Sequence, residues 1–271
     1  MLQKIITIGY EQFIKGLAPG QYLDGGCALW NGEGVDPFRK PGRLLAGYDF
    51  TIISSSTTVK DNIRWIVSDQ NAQFIYGYGD GGYVCKVNTS DVVSFVHTVT
   101  QSQGNGLVFY KDRLIYTRNT TIGYCADPDA ASPTFRDTAI TNTSSLTSVY
   151  EHPMAIGADQ KCYVGNYSRL SSFAGAGDFN LAKLTFPDEW KITALANDGF
   201  YLVIGFTGIN TSQPKIAVAY WDMVSNQVNR WYEIPAGVAI NYLYQKGSWT
   251  YIFVQDRIYR SNFDTPPVEW F

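Results

Sequence analysis

This sequence predicts an all-β chain folded as a β-propeller of four-stranded blades. Three observations carry the prediction. Aromatic and β-branched residues are abundant while helical periodicity is never sustained, a hairpin unit recurs five times, and its copies stand one blade-length apart.

Composition comes first. Apolar residues make up 45% of the 271 positions and charged residues 17%, which suffices for a real core and argues against disorder. Aromatics reach 15%, with 19 Tyr, 15 Phe and 7 Trp beside 25 Gly. Such side chains suit a pleated, half-buried surface, and Gly supplies the backbone angles of tight turns. No segment of about a dozen residues keeps apolar side chains at the i, i+3, i+4, i+7 positions of a helix face.

The hairpins come next. An apolar strand, a polar turn and an aromatic-rich strand read as Arg64–Val67 then Phe74–Gly77, and as Leu107–Tyr110 then Leu114–Tyr116. The unit returns as Met154–Gly157 then Cys162–Gly165, as Ile192–Leu195 then Tyr201–Gly205, and as Tyr242–Tyr244 then Thr250–Phe253. A third and a fourth strand follow each copy: Tyr83–Val87 with Val92–Val96, Ile122–Cys125 with Thr134–Asp137, and Leu170–Phe173 with Phe179–Leu184. The last two pairs are Ile216–Trp221 with Asn229–Ile234 and Arg257–Arg260 with Val268–Phe271.

The period comes third. Second strands aligned on Tyr76, Tyr116, Tyr163, Tyr201 and Tyr251 are spaced 40, 47, 38 and 50 residues apart, close to the roughly 40–50 of a propeller blade. A blade buries both faces against neighbours, so the ring has to close. Residues 1–60 carry strand-like pieces at Lys4–Ile8, Cys27–Trp30 and Phe50–Ile53. They are expected to form one irregular blade, which makes six, with five or seven as alternatives, in a single domain spanning residues 1–271.

Charge and motifs then bound function. A net charge of −3 with scattered Lys and Arg lacks the basic stripe that tracks phosphate backbones, so nucleic acid is not an expected partner. The first residues lack the apolar core of a signal peptide, and no stretch approaches the roughly 20 apolar residues of a membrane helix. The expectation is a soluble protein without a membrane partner. Cys27, Cys85, Cys125 and Cys162 lie far apart inside apolar runs, a pattern of buried thiols. The sequons at Asn88, Asn119, Asn142, Asn166 and Asn210 read as turns.

Gly77–Gly82 is glycine-rich, but a strand and no helix follows it, so it reads as a hairpin turn and not as a phosphate cradle. Asp127, Asp129, Asp178, Asp188 and Glu189 invite a calcium reading, yet a calcium loop needs more converging oxygens, and turn capping explains them. His97 and His152 have no nucleophile setting beside them and read as structural or solvated. No catalytic, cofactor or metal residue is assigned, and the chain is expected not to be an enzyme. In Trp231–Tyr232 and Trp270–Phe271, adjacent aromatics on an outer strand point to opposite faces. Trp231, Tyr232, Trp270 and Phe271 are therefore interface candidates, the alternative being packing against the next blade.

A resemblance enters on longer stretches: Gly34–Leu44, the turn Cys125–Asp129 leading to Phe135, and Phe179–Pro187 followed by Ile192–Leu195 and Tyr201–Gly205. These resemble propeller-type structural proteins of tailed bacteriophages, including the tail-tube nozzle class. The resemblance implies a rigid platform repeated around a symmetry axis, in a virion assembled in the host cytoplasm. Its loops would meet other virion proteins, and no catalytic residue carries over. Nozzles are usually longer, which leaves a decoration, adaptor or minor tail role equally open. Two further readings stand beside it. A carbohydrate-binding or carbohydrate-cleaving propeller would carry an aromatic-lined pocket with converging carboxylates at one end of the channel. A general interaction platform would expose a broad apolar or charged face.

Overall fold

The computed structural model describes Val35–Asp36, Leu45–Ala46 and, with breaks in connecting segments, residues 63–270. The chain divides into two compact units, Met1–Ser55 and Ser56–Phe271. In the first, β1 (Val35–Asp36) pairs antiparallel with β2 (Leu45–Ala46). The strand pieces expected at Lys4–Ile8, Cys27–Trp30 and Phe50–Ile53, and with them the N-terminal blade, lie outside the described residues.

The second unit contains five antiparallel four-stranded sheets, each a meander in chain order. The first blade is β3 (Ile63–Ser68), β4 (Phe74–Gly79), β5 (Tyr83–Asn88) and β6 (Val93–Thr98). The second is β7 (Gly106–Tyr110), β8 (Arg113–Arg118), β9 (Thr121–Cys125) and the short β10 (Phe135–Arg136). The third is β11 (Met154–Ile156), β12 (Cys162–Asn166), β13 (Arg169–Phe173) and β14 (Phe179–Thr185). The fourth is β15 (Trp190–Asn197), β16 (Leu202–Gly208), β17 (Ile216–Trp221) and β18 (Arg230–Ile234). The fifth is β19 (Ile240–Lys246), β20 (Trp249–Val254), β21 (Ile258–Ser261) and β22 (Val268–Glu269). Each legible hairpin has become the two inner strands of a blade.

The structure thus shows an all-β propeller of five blades among the described residues, where six was the expectation and five an admitted alternative. Among the described residues, the five segments with full turn-and-strand chemistry built the four-stranded sheets. The sixth was inferred from ring closure and three isolated apolar pieces in residues 1–60.

Turn chemistry fixes the hairpins. Lys111 and Asp112 both adopt positive φ in the two-residue turn joining β7 to β8, the geometry that matches strand twist. Gly82, at φ +80°, closes the β4–β5 turn with its N–H donating to Gly79 O at 3.0 Å, so the glycine-rich segment is a hairpin turn, as read.

Apolar clusters lie between successive blades. Tyr76, Tyr78 and Val84 of the first blade meet Leu107, Leu114 and Tyr116 of the second. Val108, Ile115 and Ile122 then meet Met154, Cys162 and Val164. The third and fourth blades share Tyr163, Leu170, Ile204, Phe206 and Trp221, and the fourth and fifth share Val203, Val218, Tyr220, Leu243 and Ile252. Four such cores join five blades. No equivalent core joins the fifth blade to the first among the described residues. Cys85, Cys125 and Cys162 are buried, and desolvation pushes the Cys125 thiol up to about 11.

Candidate functional site

All innermost strands run the same way, so their first residues gather at one end of the ring. Arg64 and Trp65 of β3, Glu151 just ahead of β11, Lys191 of β15, and Asn241 and Tyr242 of β19 line a cavity of about 620 Å³ there. This is the mouth of the central channel. The Arg64 guanidinium donates to the Glu151 carboxylate, tying the first blade to the approach to the third. The remaining polar and aromatic chemistry is the Lys191 ammonium, the Asn241 amide, the Thr193 hydroxyl and two aromatic side chains. That set can hold a polar ligand or a partner's loop. A glycosidase centre needs two carboxylates facing each other, and Glu151 is the one acid among the described lining residues.

The channel mouth adjoins uncovered sheet. On β19, Leu243 packs inward against the fourth blade, so the alternating Tyr242 and Tyr244 turn the other way and stand 54% and 48% exposed. Their cross-strand partners Phe253 and Tyr251 share that face, and Trp270 meets the Tyr251 ring edge-on at 5.0 Å. Among the described residues, the first blade likewise leaves one face without an apolar partner. Trp65 and Val67 pack toward the second blade, while Ile66 and its neighbour Ile75 are 67% and 48% exposed.

The four aromatics singled out from the sequence fall in three settings. Trp231 and Tyr232 do point to opposite faces of β18, and both are partly buried between blades. Trp231 packs among Phe186, Trp190 and Phe206, and Tyr232 donates its hydroxyl to Phe263 O at 2.9 Å. Trp270 is 41% exposed on the uncovered face of the fifth blade. Phe271 lies outside the described residues. Sequence reasoning missed Arg64, Glu151, Lys191, Asn241 and Tyr242. The signal was available: each lies at or just before the start of a first strand in its repeat, the one place where a propeller brings distant residues together.

Both histidines have structural partners. His152 is buried with Nδ1 2.9 Å from Gly165 O. His97, on the outer strand of the first blade, places Nε2 2.8 Å from Asp137 Oδ1 and stacks on Phe135 at 4.2 Å. Asp137 also accepts from Tyr116 at 2.6 Å and lies 3.4 Å from Arg118 Nη1. Burial works to raise the Asp137 pKa, but the hydrogen bonds from Tyr116 and His97 and the charges of His97 and Arg118 together hold it below the usual carboxylate range. The same bond, with burial the larger cause, pushes the Tyr116 phenol far up. The result is a polar clasp joining two blades.

Of the acids read as turn caps, Asp127 caps its own loop, its Oδ1 accepting from Thr134 N at 3.2 Å, whereas Asp129 accepts from the Tyr76 hydroxyl and Asp188 Oδ1 from Ser168 Oγ at 3.0 Å. Glu189 pairs with Lys215 at 3.2 Å.

No protein-family model matches the chain, and no curated protein matches it. Among solved structures it is similar to the extracellular domain of a putative one component system from B. thetaiotaomicron, with a TM-score of 0.58 and 18% identity over 81% of this chain and 29% of that one. It is also similar to an auxiliary nutrient binding protein from Bacteroides ovatus, with a TM-score of 0.53 and 12% identity over 77% of this chain and 57% of that one. The Pan2 WD40 domain of Neurospora crassa aligns with a TM-score of 0.55 and 9% identity, covering 80% of this chain and 68% of that one. The chain spans under a third of the first of these and a little over half of the second. At such identities the likeness shows the fold alone, and that fold is the β-propeller.

Proposed function

We propose that this propeller is a non-catalytic assembly platform, a structural component of a tailed-phage virion assembled in the host cytoplasm. One observation carries the reading: the first and fifth blades each leave a sheet face without an apolar partner among the described residues, and these faces hold Ile66, Ile75, Tyr242, Tyr244 and Trp270 well exposed. Faces of this kind mark contact surfaces, and aromatic side chains are enriched where contacts carry affinity. The sequence resemblance supplies the partner class, neighbouring virion subunits arranged about a symmetry axis. The test is immunogold labelling of purified particles together with sedimentation of the isolated chain. Label on particles and concentration-dependent association of the chain are expected. A strictly monomeric chain absent from every particle fraction would end the proposal.

A second reading has its own observation. Trp65 and Tyr242 flank Arg64, Lys191 and Asn241 at the channel mouth, a mixture of apolar walls and polar anchors suited to a small polar ligand. One structurally similar protein is a nutrient binding protein. Saturable calorimetric binding of an oligosaccharide, lost in Trp65→Ala, would favour it over the platform.

A further inference from the structure

At the end of the ring opposite the channel mouth, two turns of the fourth blade hold large apolar side chains in water. Phe200, between β15 and β16, is 81% exposed, and Val224, between β17 and β18, is 80% exposed. Both turns are clamped. Asp198 Oδ1 accepts the N–H of Phe200 at 2.8 Å and of Tyr201 at 2.6 Å, and the Tyr201 ring stacks on Phe263 of the fifth blade. Asp222 Oδ1 accepts the N–H of Val224 at 2.9 Å and of Ser225 at 2.7 Å, and the Trp221 indole donates to Ser225 O at 2.8 Å. Met223 adopts φ +62°, a region a residue with a side chain enters only when its surroundings hold it there. What holds it is the core between the third and fourth blades, in which its side chain is buried. With Met223 drawn inward, Val224 is left in solvent.

Apolar side chains scattered singly over a surface need no explanation, but two on neighbouring clamped turns make a surface, and groups already fixed lose little freedom on binding. Spacing and charge name what fits. β15 and β17 run the same way and both finish here, and strands stand about 4.8 Å apart, so the two turns lie about 10 Å from one another. Residues i and i+7 of a helix are about 10.5 Å apart along one face. The turns at 198–201, 222–229 and 262–267 carry Asp198, Asp222 and Asp264 and no lysine or arginine. Hydrogen bonds from the Ser225 N–H and hydroxyl hold Asp222 well below the usual carboxylate range, so it stays charged. Arg230, which opens β18, lies over the Phe263 ring at 5.0 Å and offsets only part of this charge. Such turns repel an anionic lipid surface and attract a basic one. We infer that Phe200 and Val224 dock a partner protein's amphipathic helix, one whose apolar stripe is flanked by lysine or arginine.

The inference rests on the platform reading and adds a contact apart from the uncovered faces of the first and fifth blades. It is tested by fluorescence anisotropy of the full chain with a labelled amphipathic helix of leucine and lysine, the same helix with glutamate for lysine, and phosphatidylcholine vesicles with and without phosphatidylserine. Saturable binding of the lysine helix is expected, weakened about tenfold or more by Phe200→Ser with Val224→Ser. Both side chains stand in solvent, so the melting temperature should not move. Asp264→Asn, at an exposed position, is expected to weaken binding and flatten its salt dependence. Ile209→Ser, exposed between β16 and β17 at the channel-mouth end, is the control and should bind as the native chain does. No saturable binding, equal affinity for the glutamate helix, or equal loss in the control would overturn the docking surface. So would vesicle binding, or self-association of the chain, that the Phe200 and Val224 substitutions abolish. Particle association that persists while the helix fails sinks the docking surface alone, and helix binding by a chain absent from every particle sinks the platform alone.

Discussion

Gly106 opens β7 where a Cβ would stand 1.9 Å from the backbone carbonyl oxygen of His152, an atom that cannot swing aside. Gly106→Ala is therefore expected to cost about 1–3 kcal/mol, or roughly 2–4 °C of Tm per kcal/mol by thermal unfolding. Gly175→Ala, with open space around it, is the control and should leave Tm unchanged. Nothing local marks the first glycine as different from the second, because the opposing carbonyl belongs to the approach to the next blade. Asp137 is a similar case. The sequence shows the end of a fourth strand and, separately, a lone histidine, and only folding brings them to 2.8 Å. Its pKa is depressed, so its stabilisation is complete above the unfolded value of about 3.9 and is lost as pH falls through that value toward the folded one. Urea midpoints measured from about pH 5 down to 3 should fall in the native chain, with a shallower slope in Asp137→Asn. Parallel slopes would show that the clasp contributes nothing.

Strands were the most legible elements, since alternation, β-branched runs and turn residues are all local. The fourth blade shows why: Ile216–Trp221 is an unbroken apolar run and every residue in it is buried, as expected of a strand covered on both faces. Alignment by single tyrosines was less secure. Tyr163 lies within β12, but Tyr201 precedes β16 and stacks on Phe263 of the fifth blade at 4.3 Å, so matching residue types occupy different structural positions. Polar links between elements left no local signature at all. Thr207 of β16 places Oγ1 3.1 Å from Thr193 Oγ1 and accepts the backbone N–H of Ile240 at 3.2 Å, which pins the start of β19 to the fourth blade. Thr207→Val keeps the shape and removes the acceptor, leaving a buried N–H unpaired. The expected loss is about 1–3 kcal/mol in chemical denaturation, with Thr207→Ser retaining most of the stability. Equal losses in both variants would assign the effect to packing.

Across the whole molecule, stability passes from blade to blade, because each sheet is held mainly by the apolar faces of its neighbours. Counting hairpins gave five blades, while reasoning from ring closure added a sixth. Closure depends on how far each blade is rotated from the last, which no single repeat encodes. The channel mouth was illegible for the same reason, since Arg64, Glu151, Lys191 and Asn241 meet only once the ring exists. The arrangement of cores has a measurable consequence. Among the described residues, the second, third and fourth blades are covered on both faces, whereas the first and fifth each have one face without an apolar core against it. Local opening should therefore cost least at the two ends, since an end blade that detaches gives up one apolar interface and an inner blade two. Amide hydrogen exchange is expected to be slowest in β12, β13, β16 and β17 and markedly faster in the matching central strands β4, β5, β20 and β21. A bound partner that covers the uncovered faces should slow the end blades selectively. Uniform protection across all five blades in the isolated chain would mean that the ring opens only as a whole, and the blade-by-blade account of its stability would fail.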